Sequence, residues 1–232
     1  MGYAALAIMW YVAFIISTTF HEAAHGFAAK KLGDPTAYHH GLVTLDPVPH
    51  IRRSPFGMVL IPIISFLLNG WMVGWAGAPY DPYWAQRNRR KTALMSLAGP
   101  AANLTLVLIA ALATRTGMLL GFFREPEVVT LTTVVQAVSP GLANSTAPVI
   151  SIIFSLNLIL LVFNLIPLPP LDGSNLLLFF LNNEAAQHYE SFLYQPMYRL
   201  IGLVAAWQLF GLVSGPLHML ALNMLYPGAG YH

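Results

Sequence analysis

The chain has 232 residues, of which 56% are hydrophobic and only 9% are Asp, Glu, Lys or Arg, against about 25% charged in an ordinary soluble domain. This composition excludes a water-soluble globular domain. The net charge of +2, with basic residues gathered at the ends of apolar runs, suits the positive-inside rule and excludes the broad basic face of a nucleic-acid binder. The chain has no cysteine, so disulfides and thiolate sites are ruled out, and a metal would have to be held by His, Asp or Glu.

Apolar runs recur from Tyr3 to Phe20, Phe56 to Trp75, Thr92 to Ala113, Val149 to Ile166 and Leu200 to Leu225, each near the ~20 residues that cross a bilayer. The fold class expected is an all-α polytopic membrane protein with four to six transmembrane helices and a short β-hairpin or re-entrant segment near its active site. One membrane-embedded domain is expected over 1–232, its core over about 3–175 and C-terminal helices over about 176–226. The first run has no basic segment before it and no small-residue cleavage pattern, so it is expected to remain as a helix to about Lys31.

Turn residues then flank "TAYHHGLVTL", which predicts a strand or hairpin. The Phe56 to Gly77 segment is broken by Pro62, Asn69, Gly70 and Gly74 and makes a poor straight helix. After the polar loop "APYDPYWAQRNRRK" comes a long helix with a kink expected at Pro100. "EPEVVTLTTVVQAVSPGLANS" reads as a surface helix. The next apolar helix is stopped by Pro167, Pro169 and Pro170, and the last, from Met197 onward, is expected to bend at Gly215 and Pro216.

The chemistry is concentrated in "HEAAH". On a helix His21 and His25 share a face, so both imidazoles can reach one ion, and Glu22 lies beside them as a carboxylate base. Ionisable groups in a membrane segment are costly, and a functional reason outweighs a purely structural one. Catalytic zinc takes three protein ligands and leaves a position open, so a third ligand is required. Asp172, which follows an apolar helix directly and is fixed between prolines and Gly173, is the favoured candidate over a simple N-cap role. His39, His40, His50, Glu184 and His188 are the other candidates.

"HEAAH", "AGPAANL" and "FNLIPLPPLDG", in this order, resemble the site-2 protease family of intramembrane zinc metalloproteases, from about His21 to about Asn175. "GLVTLDPVPHI" and "GWAGAPYDP" are more similar to the small members without an added PDZ or CBS domain, although Arg52 and Gly77 depart from the residues usual there. The resemblance implies one Zn2+ held by His21, His25 and Asp172, with Glu22 as catalytic base. It also implies a hold on the substrate backbone by Asn164 and a supporting role for Asn103, either being an extra donor to the oxyanion.

On this reading zinc polarises a water, and Glu22 takes its proton and passes it to the leaving amine. The implied partners are a transmembrane protein substrate and the lipid bilayer, with no nucleic acid, and the expected location is the cell membrane. The substrate helix must unwind, and "TAYHHGLVTL" is expected to pair with it by edge addition. The rival readings are a catalytically inactive zinc-binding scaffold or chaperone, which would not require Glu22, and a transporter with an intramembrane metal site, which would show two similar halves.

Charge asymmetry sets the topology. The first helix has no charged residue before its motif and carries Lys30 and Lys31 after it, so it is expected to run from outside to cytoplasm. Asp172 must reach the same depth, which requires an odd number of crossings before it. Phe56 to Gly77 is accordingly expected to enter and return on one side, leaving Thr92 to Ala113 as the only full crossing in between.

Overall fold

The computed structural model describes residues 2–193 and 195–231, except for the side chain of Asn183. Four of its helices are long and apolar enough to cross a membrane: α1 (Tyr3–Leu32), α6 (Arg89–Leu119), α7 (Leu142–Leu165) and α10 (Pro196–Leu225). Between them lie α2 (Thr36–His39), α3 (Pro47–Arg53), α4 (Ile61–Asn69), α5 (Pro82–Arg87), the short strands β1 (Phe123–Arg124) and β2 (Gln136–Ala137), α8 (Asp172–Leu176) and α9 (Asn183–Leu193).

α1 ends at Gly33, whose φ of 108° is the left-handed conformation that closes a helix, and Lys30 and Lys31 in its last turn complement the helix dipole. α6 starts beside that end, because Lys91 Nζ donates to the Leu32 carbonyl at 3.1 Å, and runs back along α1. α7 returns parallel to α1, and the three helices meet where Asn157 of α7 touches Ser17 of α1 and Asn103 of α6. α10 turns most of its surface outward. Its exposed Leu200, Val204, Trp207 and Leu212 form the kind of apolar wall a lipid environment tolerates.

The segment after α3 turns back on itself. A π-helical turn, Phe56–Leu60, leads into α4, and this pair meets α3 at a 113° bend. Fourteen helical residues rise about 21 Å, short of the ~30 Å hydrocarbon core. The tip reaches the start of α1, where the Tyr3 hydroxyl donates to the Phe66 carbonyl, and the chain then comes back in extended form. Trp75 N–H donates to the Gly57 carbonyl at 3.1 Å, and Arg53 Nε donates to the Gly77 carbonyl at 3.0 Å. The two ends of the loop therefore touch, and α6 is the one long helix between α1 and α7. We expect cysteines introduced at Ser54 and Gln86 to be labelled by an impermeant thiol reagent from the same, cytoplasmic, side. Labelling from opposite sides would make this loop a crossing.

Two local expectations are corrected. "TAYHHGLVTL" is not a strand: Asp34 accepts from the Thr36 N–H and hydroxyl, which starts α2, and Ala37 packs on Gly26 of α1. The surface helix expected in Gly117 to Pro148 is instead an antiparallel pair, Phe123 opposite Ala137, joined by turns, because its β-branched run loses too much freedom in a helix. Ser151 Oγ holds the loop by accepting from the buried amides of Val134 and Val135. α10 runs as a single helix through Pro216.

Candidate metal centre

Helical spacing puts His21 and His25 one turn apart on the face of α1 turned to α6. α6 can pass directly beneath them because residue 99 is glycine: a Cβ there would overlap the Nε2 atoms of both histidines. Asp172 reaches the same point from α7. That helix ends at Leu165, the prolines lead to an extended Leu171, and Asp172 opens α8. Gly173 allows this turn, since a Cβ there would collide with the carbonyls of Leu165 and Ile166. The turn is tied down by Asn175 Nδ2 donating to Ser96 Oγ of α6 at 2.9 Å and by the Tyr189 hydroxyl of α9 donating to the Ser174 carbonyl at 2.9 Å.

The result is a tight triangle. The two Nε2 atoms are 3.0 Å apart, and Asp172 Oδ2 lies 3.1 Å from His21 Nε2 and 3.3 Å from His25 Nε2. Ligands about 2.0–2.1 Å from a tetrahedral ion are separated by about 3.3 Å, so the spacing matches zinc.

The protonation of the imidazoles follows from atoms that can only accept. His25 Nδ1 is 2.8 Å from the Met95 carbonyl and must donate to it. Asn157 Nδ2 donates to the Ile153 carbonyl and to Ser17 Oγ, so its Oδ1 accepts from Asn103 Nδ2 at 2.8 Å. Asn103 Oδ1 then faces His21 Nδ1 at 2.6 Å and accepts from it. With both Nδ1 atoms donating, both Nε2 atoms offer lone pairs, and they face a carboxylate oxygen that is buried without a hydrogen-bond partner. A proton would satisfy one pair of these atoms, whereas a divalent cation satisfies all three. The donor set therefore fits zinc.

Glu22 is buried beside the triangle, and its carboxylate has no hydrogen bond or ion pair among the described residues. It lines a cavity of about 640 Å3 with the three candidate ligands, Asn164, the extended segment Gly74 to Tyr80 and Arg199. Asn164 donates to the Leu160 carbonyl at 3.0 Å and keeps its Oδ1 for another partner. Asn103 is fully buried behind His21, with its amide engaged by His21 and Asn157, and it does not line the cavity. His50 Nε2 of α3 donates to the Thr44 carbonyl at 3.1 Å, His39 and His40 are exposed on and after α2, and Glu184 and His188 lie on α9. Among the described residues His21, His25 and Asp172 are the one group able to share an ion.

Sequence reading missed Asn157, Ser17 and Gly99, whose roles depend on contacts between distant helices. A polar Asn157 in the middle of an apolar run was the available signal. We expect Asn157→Leu to weaken zinc binding about 10- to 100-fold, the usual cost of losing an outer partner of a ligand, in a chelator competition titration. Unchanged affinity would show that the asparagine pair does not hold the His21 tautomer.

Comparison with known proteins gives a consistent set of relatives. The sequence model for peptidase family M50 matches residues 9–209. The chain is 36% identical over 174 residues to a Bacillus subtilis protein named "Putative zinc metalloprotease YwhC", covering 74% of this chain and 69% of that one. It is 32% identical over 176 residues to "Putative zinc metalloprotease Rip2" of Mycobacterium tuberculosis, covering 75% of this chain and 57% of that one. The Mycolicibacterium smegmatis protein of the same name is 29% identical over 186 residues, 79% of this chain and 61% of its own length. The mycobacterial relatives are thus matched over less than two thirds of their length. No solved structure matches significantly.

Proposed function

We infer the function from one premise: the chain belongs to peptidase family M50, and it is a zinc metalloendopeptidase. Its proposed reaction is hydrolysis of peptide bonds within or near transmembrane segments of membrane protein substrates, with the cell membrane as its location. The observation that carries this reading is the depth of the metal triangle. His21 lies about 27 Å along α1 from Tyr3 and about 16 Å from Leu32, inside a helix of membrane-spanning length and against two others. A bond presented there comes from a substrate that is itself in the membrane.

In this reading His21, His25 and Asp172 hold the zinc, which when bound supplies a Lewis acid that polarises the scissile carbonyl and acidifies a water. Glu22, one residue from a ligand and otherwise unpaired, takes the proton of that water and returns it to the leaving amine. Asn164 Oδ1 accepts from a substrate backbone N–H. The strand-pairing role expected of "TAYHHGLVTL" passes to the extended return of the re-entrant loop. The N–H groups of Ala76, Gly77 and Ala78 make no hydrogen bond among the described residues, and they border the cavity. An unwound substrate segment finds backbone partners there.

The test combines zinc stoichiometry in detergent with cleavage of a transmembrane model substrate. One zinc per chain and products cut within or beside the membrane segment are expected. One zinc without cleavage would favour an inactive scaffold, and zinc uptake into liposomes without cleavage would favour a transporter.

A further inference from the structure

The wall of the metal cavity carries one charged group for which the hydrolytic chemistry has no use. Arg199 is the fourth residue of α10, and Arg199, Gly202, Leu203 and Ala206 follow the helical repeat of a single face. That face is turned to the site. Gly202 sits so close to the Pro169 carbonyl that a Cβ would not fit, Ala206 is fully buried, and Leu203 and Arg199 both line the cavity. The other charged or ionisable groups on that wall are His21, Glu22, His25, Asp172 and the Tyr80 phenol.

Arg199 is exposed, and its guanidinium makes no hydrogen bond, ion pair or ring contact among the described residues. Arg53, Arg89 and Arg115 are engaged, with the Gly77 carbonyl, Glu190 and the Leu225 carbonyl; Arg52, Arg87 and Arg90 have no side-chain partner among the described residues, but none of them lines the metal cavity. Arg199 gains nothing from its helix either. A cation near a helix N-terminus opposes the dipole, and the first turn of α10 has no acidic residue to offset it. Membrane topology is served by a cation anywhere around that turn, but not specifically by one on the face that lines the metal cavity.

We propose that Arg199 is a specificity residue that receives a carboxylate side chain of the substrate, an Asp or Glu within a few residues of the scissile bond. The guanidinium fork matches a carboxylate in two parallel hydrogen bonds, and a partly enclosed site strengthens them. A lipid phosphate offers similar oxygens, but it belongs at the bilayer surface, whereas Arg199 shares its cavity with Asn164 and the unpaired backbone of the re-entrant loop. The proposal rests on the proteolytic reading and names the substrate class for it.

The test uses the full chain in detergent and a set of transmembrane substrates that differ only by Glu, Gln or Lys at successive positions flanking the cut. At one position or more the wild type is expected to prefer Glu to Gln by about tenfold in kcat/KM. Arg199→Gln brings that ratio to about one with zinc content retained, Arg199→Lys keeps part of it, and Arg199→Glu favours Lys. A wild type without preference at any position overturns the proposal. So does Arg199→Gln with the preference intact, or with all substrates lowered in proportion, the result expected if Arg199 serves lipid contact or topology. Substrate binding to the Glu22→Gln protein, followed by fluorescence anisotropy, gives the same Glu to Gln comparison without turnover. If the wild type binds zinc and cleaves nothing, the proteolytic reading fails, and this binding ratio alone upholds or overturns the role of Arg199.

Discussion

Glu22→Gln abolishes proteolysis and leaves zinc bound. The carboxylate is buried at the cavity wall and makes no hydrogen bond or ion pair among the described residues, so an isosteric amide takes no hydrogen bond from a neighbour. The imidazoles keep their Nδ1 acceptors, the Met95 carbonyl and Asn103, and Asp172 keeps its place. The property lost is the ability to accept a proton one residue from a metal ligand. General base catalysis contributes typically about 10²–10⁴-fold, and a fall in kcat of that order is expected with zinc stoichiometry at the wild-type level. Both are measured on one preparation. Normal turnover by this variant would remove Glu22 as the base, and loss of the metal would move it into the ligand set.

The centre was readable where chemistry is written in local spacing. Two histidines four apart with a glutamate beside the first require only a helix to be brought together, and the composition alone predicts that helix. Asp172 was readable for a different reason: acidic residues are few in so apolar a chain, and this one is fixed between prolines and a glycine at a helix end. What was not readable is what depends on the juxtaposition of helices. The link from Ile153 through Asn157 and Asn103 to His21 joins residues 54 and 82 apart in sequence, and no periodicity announces it. Propensity misled twice. Tyr, Leu, Val and Thr in "TAYHHGLVTL" favour strands, but Asp34 caps a short helix there and Gly26 gives it a surface to pack on. "EVVTLTTVVQAV" makes turns, one isolated bridge between Thr130 and Thr133 and the strand Gln136–Ala137, and the surface-helix reading gave its β-branched content too little weight. The turn-back of the chain between Arg53 and Gly77 agrees with the charge count, which constrains topology even where the apolar pattern is ambiguous.

Asp172→Ala and Gly99→Ala both remove zinc, by separable routes. Alanine at 172 deletes a donor oxygen 3.1 and 3.3 Å from the two imidazole nitrogens and leaves the helices in place, because Gly173, Ser174 and Asn175 carry the contacts that fix the turn. Affinity should fall by more than the 10- to 100-fold typical of an outer partner. Alanine at 99 keeps every ligand but adds a methyl group where both Nε2 atoms lie. The rings can move only by leaving Asn103 and the Met95 carbonyl, and α6 can recede only by opening its packing against α1. Overpacking of this kind costs about 1–3 kcal/mol, with or without metal. Thermal unfolding with added zinc and with chelator therefore distinguishes them. The wild type loses stability on chelation, since a ligand that binds only the folded state stabilises it. Asp172→Ala lacks that zinc-dependent increment, with chelated stability close to that of the wild type. Gly99→Ala is less stable than the wild type in both conditions. If Asp172→Ala binds zinc as tightly as the wild type, and His50→Ala or Glu184→Ala loses it, the third ligand lies elsewhere and the triangle is not the metal site.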